Sequence, residues 1–447
     1  MRQFATLPSS DRIPSRASVV IVGGGIIGAV AGFHLARQGI SVAVVEKGVI
    51  GAEQSGRNLG WCRLLGRDPV EIPLCLESRR EWRRLNESVG SETGFRRRDT
   101  FTLCETDSEI EAAARWLASI DGRAVGARML HRKELEGELV RVPPRFRAAL
   151  FSDEDGCAEP LLASVAIARA ARAHGAAILQ NCAARGVETS ANAVSAVVTE
   201  SGRIACESVI VAGGAWSRLF CGNLGVTLPQ LKVHSTVLRT GPLVDAPEAM
   251  VASSNFGFSP RIDGGYTVSS TVAYAEIVPD SFRLFRAFLP ALRMQQHLRL
   301  SLSSRFLKET MFERGWPLAE STPFERERIL NPAVRRHVVL RALSEIGSLF
   351  PAFREATVEE IWAGLIDTTP DGLPLISAVN QVPGLFLATG FSGHGFGMAP
   401  AAGRAVADLC QGRSPSINLK PFALERFRNG AHVSRSHCEE SPKWHKR

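Results

Sequence analysis

A chain of 447 residues exceeds one ordinary domain, so two domains or one elaborated domain are expected. Its 45% hydrophobic and 22% charged content is that of a soluble globular protein, and its net charge of +8 is spread as scattered arginines rather than a basic, aromatic-interleaved stretch, which excludes nucleic acid as the main partner. Nine cysteines (62, 75, 104, 157, 182, 206, 221, 410 and 438) stand apart with no CxxC and no metal-ligand spacing, the pattern of reduced thiols in a cytoplasmic protein without a bound metal.

Residues 1–16 read as a loose leader. Val19 to Val22 then reads as a buried strand entering the turn Gly23-Gly24-Gly25-Ile26-Ile27-Gly28. Gly28 to Ala36 reads as a tightly packed helix, and Val42 to Val45 as a second parallel strand ending at Glu46. Gly23 permits the sharp turn, Gly25 lets a pyrophosphate approach the backbone, and Gly28 lets the helix pack on the strand. The helix N-terminus adds N–H groups and partial positive charge. Glu46, about 20 residues past the glycines, is placed to take a ribose hydroxyl pair. Together these features indicate dinucleotide binding. They also explain the apolarity of residues 17–36 better than a membrane span or a signal sequence does, so no transmembrane segment is expected.

Further along, Pro69 to Val89 reads as a surface helix, Asp107 to Ile120 as a helix capped by Asp107, and Pro160 to Gly175 as a third. Ala176 to Leu179 follows as a strand. Ile204 to Val211 reads as one strand delivering the turn Gly213-Gly214-Ala215-Trp216. Val233 to Arg239 and Phe256 to Ile262 alternate as antiparallel strands do, with Asp263-Gly264-Gly265 as a hairpin turn into Tyr266 to Ser269. Residues 281–312 and 339–350 read as helices. Leu385 to Thr389 reads as a strand running into a glycine-rich turn and the helix Pro400 to Cys410; residues 430–447 read as a polar tail. The fold class is α/β, α+β in overall make-up. A Rossmann-like nucleotide domain is expected from 17–95, 151–230 and 351–412, with an inserted mixed or antiparallel-sheet substrate domain from 96–150 and 231–350.

Three more segments carry a family resemblance. They are Ser55-Gly56-Arg57-Asn58-Leu59-Gly60-Trp61-Cys62-Arg63, Asp155-Gly156-Cys157-Ala158-Glu159-Pro160, and the C-terminal set Trp362-Ala363-Gly364-Leu365, Thr369-Pro370-Asp371-Gly372 and Gly390-Phe391-Ser392-Gly393-His394-Gly395-Phe396-Gly397. With Gly23 to Glu46, over roughly residues 17–412, the chain resembles the D-amino-acid-oxidase-like superfamily of FAD-dependent oxidoreductases. The resemblance implies FAD held by Gly23, Gly25, Ile26, Ile27, Gly28, Glu46 and Lys47, by Ser55, Arg57, Asn58 and Leu59, by Gly213, Gly214 and Trp216 under the adenine half, and by Gly393, His394, Gly395, Phe396 and Gly397. A glycine-rich loop feeding a helix N-terminus offers donors to the flavin's pyrimidine edge, where negative charge gathers on reduction. The sarcosine-oxidase branch ties its flavin to a cysteine where this chain aligns Gly364, so FAD is expected to be non-covalent. That branch also has a substrate-binding lysine where this chain has Gly397, so any carboxylate clamp must come from elsewhere.

The implied reaction oxidises the C–N bond of an amino acid or related amine, passing a hydride equivalent to the flavin and then electrons to oxygen or an acceptor partner. The resemblance equally covers a flavin-bearing subunit of a multi-subunit dehydrogenase. Arg63 reads as a substrate carboxylate anchor or a structural ion pair. Arg57 either steadies the flavin or stabilises its loop, and Asn58 either bonds the flavin or forms a turn. His394 reads as a flavin contact or as loop packing, with proton abstraction a further role. Arg261 and Tyr266 read as substrate contacts or sheet decoration.

Overall fold

Four apolar residues, Val19–Val22 (β1), form a strand covered on both faces: Val19 and Ile21 enter one apolar cluster and Val20 another. Helix Ile26–Arg37 (α1) returns the chain so that Val42–Val45 (β2) pairs with β1 in parallel, Val19 opposite Val42. Helices Ile72–Val89 (α2) and Pro160–Ala173 (α3), strands Ala177–Leu179 (β3), Ser208–Val211 (β4), Leu375–Ala378 (β5) and Leu385–Thr389 (β6), and helix Gly395–Cys410 (α4) complete this body. The strands make a six-stranded sheet in the order β5-β6-β4-β1-β2-β3, parallel except for β5. The four helices share an apolar cluster with Val19, Ile21, Val42 and Val44 on one face. The antiparallel strands Ala184–Ser190, Ala193–Thr199 and Gly202–Ala205 cover the other. The computed structural model describes residues 7–120, 125–139, 142–294, 298–312 and 315–427.

A ten-stranded mixed sheet is built around Leu231–Thr240, which pairs with Tyr266–Ser270 on one side and, along its length, with Val358–Thr368. Phe256–Pro260, Met250–Ala252, Thr100–Cys104, Ala148–Ser152 and Ala127–His131 extend it one way, and Ala273–Ile277 and Leu298–Leu302 the other. Helix Arg336–Leu349, with Phe350 and Phe353 beyond it, packs on Phe258 and Tyr266. Val358–Thr368 lies within a stretch expected in the nucleotide unit, yet its hydrogen bonds belong to this second sheet.

Several expectations are corrected. Residues 281–312 are not one helix: short helices Pro279–Arg283 and Phe285–Met294 are followed by strand Leu298–Leu302, parallel to Ala273–Ile277, and by helix Arg305–Thr310. Leu298, Leu300 and Leu302 alternate with polar residues, and the edge offered by Ala273–Ile277 decides for strand. Residues 204–211 split between two sheets, because Cys206 N donates to Ser195 O at 3.0 Å while Glu207 N already donates to Ser18 O at 3.3 Å. Helix Asp107–Ser119 is capped by Thr106 rather than Asp107, through a capping box in which Thr106 Oγ1 accepts from Glu109 N at 3.2 Å. Residues 7–16 are no loose leader: Ser10 N donates to Ile178 O at 2.7 Å and Leu7 is buried. Residues 430–447, including Cys438, lie outside the described residues.

Helix α4 begins at Gly395, leaving Pro400 in its interior. A proline there removes one helical bond and crowds the preceding turn. Helix α2 bonds the backbone on either side of it. Ser78 Oγ donates to Met398 O at 2.8 Å and accepts from Ala401 N at 3.1 Å, and Trp82 Nε1 donates to Gly397 O at 2.9 Å. Among the described residues no helix is long and apolar enough to cross a membrane.

Candidate active site

A cavity of about 330 Å³ opens at the carboxyl ends of the parallel strands, beside Val22 of β1, Val45 of β2, Val211 of β4 and Thr389 of β6. Open α/β sheets bind ligands there because strands end and helices begin at one edge. The second sheet contributes Ser235, Val237, Ser269 and Ile366.

The first turn divides its labour. Gly23 has φ +112, and a Cβ on it would lie less than 3.0 Å from Ala212 O. A Cβ on Gly28 would come equally close to Gly23 O, so this glycine is a packing requirement and does not line the cavity. Gly25 does line it, with Ile26 and Ile27, and only Ser55 Oγ stands near the place of its missing Cβ, at 3.1 Å. No side chain caps α1 and no acid lies in its first turn. This uncapped, glycine-faced helix end fits the pyrophosphate of a dinucleotide. Glu46 lines the cavity and accepts from Gly24 N and Gly48 N, each at 2.7 Å, leaving lone pairs for a ribose. Burial raises its carboxyl above the ordinary range, against the pull of Lys47. Lys47 is itself engaged, donating to Glu53 Oε1 at 2.7 Å and lying 4.5 Å over the Trp216 ring.

The loop after β2 is knotted into the body. Ser55 Oγ accepts from Ile26 N at 2.9 Å. Arg57 is 5% exposed, and its guanidinium donates to Ala52 O at 2.8 Å, Ala363 O at 2.7 Å and Asn331 Oδ1 at 3.0 Å. Asn58 donates to Gln54 O and Ser55 O and accepts from Gly60 N, which is turn chemistry. Arg57, Asn58 and Leu59 still present surface to the cavity, as do Gly213, Gly214 and Trp216 after β4. Gly364 lines it too, and no cysteine, histidine or tyrosine does among the described residues.

At the C-terminal turn Gly393, Gly395 and Phe396 reach the cavity; Gly397 does not, since a Cβ there would lie 2.9 Å from Trp61 O. That glycine lets α4 lie against the Trp61–Cys62 strand. His394, the residue before α4, has a side chain 30% accessible, and its Nδ1 faces Glu71 Oε2 at 3.1 Å; Glu71 is 0% exposed. A carboxylate only accepts, so Nδ1 carries the proton. Burial and the charge of Arg67 hold the imidazole below its ordinary value and therefore neutral.

Arg63 lies beside this turn but, like His394, does not line the cavity; its guanidinium stacks 4.3 Å over the ring of the cavity-lining Trp61 and its buried Nε has no partner. Burial, with Arg67 second, pulls it down to about 9. Arg261 and Tyr266 are not brought to the cavity. Arg261 pairs with Glu159 at 3.2 Å and Asp263 at 3.1 Å, and Tyr266, 3% exposed, donates to Pro247 O at 3.1 Å inside an aromatic cluster. Both are sheet structure: their charge and hydroxyl are already satisfied.

Glu53, Glu71 and Asp367 carry no motif of their own, yet they organise the site, and Arg67 lines the cavity. Glu53 Oε1 accepts from Lys47, Trp216 Nε1 and Leu330 N. Asp367, 3% exposed, accepts from Gly390 N at 2.7 Å, Gln230 Nε2 at 2.9 Å and Thr389 Oγ1 at 3.1 Å, tying the second sheet to the end of β6. An acid directly after the apolar run Ile361 to Ile366 is visible in the sequence; its partners are not.

The FAD dependent oxidoreductase family matches residues 18–409 of this chain. The chain is 26% identical over 423 residues to glycine oxidase of Geobacillus kaustophilus (strain HTA426), covering 92% of this chain and 97% of that protein. It is 25% identical over 422 residues to sarcosine oxidase subunit beta of an Arthrobacter species, covering 92% and 91%. Among solved structures, L-amino acid deaminase from Proteus myxofaciens in complex with anthranilate superposes with a TM-score of 0.91 at 32% identity, covering 95% of this chain and 96% of that one. With a dinucleotide turn, a ribose acid and a glycine-lined second helix end converging on one cavity, the chain belongs to the FAD-dependent oxidoreductase family and is an enzyme of that class.

Proposed function

We propose that this enzyme oxidises the C–N bond of an amino acid, using non-covalently held FAD. The observation that carries the reading is Arg63, a guanidinium beside the flavin-side turn whose buried Nε has no acceptor. A substrate carboxylate supplies that acceptor, in the bidentate geometry a guanidinium prefers. The relatives named for amino acid chemistry, L-amino acid deaminase and glycine oxidase among them, support an amino acid substrate.

FAD, when bound, supplies the hydride acceptor. The chain's own residues do the rest. Gly25 and the α1 N–H groups receive the pyrophosphate, Glu46 the ribose, and Gly213 and Gly214 the adenine end. Gly393, Gly395 and the N-terminus of α4 present donors to the pyrimidine edge, where charge develops. His394 is held neutral against Glu71, which keeps its Nδ1 proton in place and a second cation away from that edge. The absence of cysteine among the described cavity-lining residues supports non-covalent binding. The described cysteines are unpaired thiols, which supports a reducing compartment such as the cytoplasm.

The test is anaerobic mixing of the yellow holoenzyme with L-, D-, cyclic and N-methyl amino acids and with simple amines. Amino acids should bleach the flavin and simple amines should not. Readmitting air then distinguishes oxygen from an acceptor partner as the electron sink. A flavin bleached by no member of the panel overturns the reading.

A further inference from the structure

Residues 316–331 belong to the stretch expected as substrate domain, yet they pack on the nucleotide body. Trp316, Phe324 and Leu330 are buried in the apolar cluster that holds Val20, Val45, Val209 and Val211 of β1, β2 and β4. Phe324 lines the cavity, its ring centroid 5.7 Å from that of Trp216 and 6.0 Å from that of Phe220, which line it too. The segment thus walls the end of the cavity beside Gly213 and Gly214, where the adenine half of FAD is received. It has one four-residue helix, Pro323–Arg326, and, among the described residues, no strand pairing.

Side-chain bonds fasten it instead. Lys47 Nζ donates to Glu53 Oε1 at 2.7 Å, Glu327 O at 3.0 Å and Arg328 O at 2.7 Å, so its three N–H bonds are spent, two of them on this segment. The sequence makes Lys47 a candidate FAD ligand; with no donor left, it acts through the segment it holds. Glu53 Oε1 ties the same segment to Trp216, accepting from Leu330 N and Trp216 Nε1, each at 3.0 Å. Arg328 reaches back to the nucleotide body, donating to Lys47 O at 2.9 Å and forking onto Glu200 at 2.7 and 2.6 Å. Neither Arg328 nor Glu200 lines the cavity. A ligand enclosed at this end leaves only when one wall moves. The ends of β1, β2 and β4 are held by ladders of backbone bonds, and freeing them unfolds the sheet. Releasing residues 316–331 breaks far fewer backbone bonds, so this wall opens at the lower cost.

We propose that residues 316–331 form a strap over the adenine end of the FAD site, latched by Lys47, Glu53 and Arg328, and that FAD enters and leaves by its opening. This goes beyond the amine-oxidising reading and rests only on FAD being held without a covalent bond. Lys47 and Arg328 are then positioning residues: they retain the cofactor by holding the wall that encloses it.

The test measures two rates on holoenzyme. FAD release is followed by transfer of FAD to an excess of a scavenging apoflavoprotein. Strap opening is followed by hydrogen exchange of the peptide that carries the Leu330 amide, which is bonded to Glu53. Arg328→Met removes the fork on Glu200 without touching the cavity. It should speed FAD release and exchange of that peptide by one common factor of about 5- to 30-fold, with exchange in β1 and β2 unchanged. Arg328→Lys should recover part of the loss. Unchanged release overturns the proposal, whether or not exchange rises. Faster release with unchanged strap exchange overturns it too, as does equal loosening of β1 and β2, which is general destabilisation. If Arg328→Met loses its FAD during purification, Arg328→Lys decides by the same comparison. The readings fail separately. Flavin that stays with the denatured chain removes non-covalent binding, whereas unchanged release from a chain that frees its flavin on denaturation removes only the strap. A flavin that no amine bleaches removes only the reaction.

Discussion

Gly25 and Gly28 belong to one turn and should fail in different ways when each is changed to alanine. A Cβ on Gly28 would lie less than 3.0 Å from Gly23 O, and Gly23 is pinned because its N donates to Val45 O at 2.9 Å. Backbone faces backbone there, so α1 must lift off β1. Overpacking costs about 1–3 kcal/mol, and the upper end applies where no flexible side chain can yield. Gly25 has φ −67, open to any residue, and its nearest obstacle is Ser55 Oγ at 3.1 Å. Alanine there costs the fold only about 1 kcal/mol, chiefly as a poorer N-cap. Its methyl, however, fills the approach to the α1 N–H groups. Losing one charge-assisted phosphate bond is worth about 1.5–3 kcal/mol, or roughly 10- to 150-fold in Kd. Apoprotein would be titrated with FAD by fluorescence quenching, and its unfolding followed separately in denaturant. Gly25→Ala should unfold near wild type and bind FAD weakly; Gly28→Ala should unfold early. A Gly25→Ala apoprotein with wild-type affinity, or a Gly28→Ala apoprotein with wild-type stability, refutes the assignment of the turn.

Three further outcomes are expected. Removing Arg261 strands Glu159, whose side chain is 7% exposed, so Arg261→Met should lower stability by roughly 3 kcal/mol and leave substrate KM unchanged; a raised KM at wild-type stability would return Arg261 to the substrate site. Asp367→Ala should cost roughly 2–4 kcal/mol in denaturant unfolding, because the donors of Gly390, Gln230 and Thr389 then lose the one oxygen they share in a buried place; an unchanged midpoint argues against the knot. His394 and His234 both have imidazoles lowered by burial. Unfolded histidine takes a proton near about pH 6.5 that the folded chain refuses, so their stabilisation is whole above that pH and is lost as pH falls through it. His394→Asn should thus lose less stability than wild type between about pH 7.5 and 5.5, and parallel curves would exclude a folded-state imidazole lowered in this way.

The nucleotide turn was legible in the residues because its constraints are local. Gly23 needs a positive φ, Gly28 needs no Cβ, and Glu46 closes a strand that starts a fixed distance later. Helix α3 was legible for the same reason, with Pro160 opening it and Gly175, at φ +96, following its end. Other elements depended on distant groups. Pro400 marks a helix start by its own preference, but it sits inside α4, where Ser78 and Trp82 bond the backbone on either side of it. Leu298–Leu302 is a strand because an edge was waiting for it. Arg261 and Arg63 look alike as residues on strands or loops near the site. Glu159 and Asp263 neutralise the first, while no acceptor meets the Nε of the second. Steric and periodic rules act within a few residues and can be read along the chain. Whether a charge is spent or available is decided by whichever group folding brings within a few ångströms, and only the tertiary structure holds that pairing.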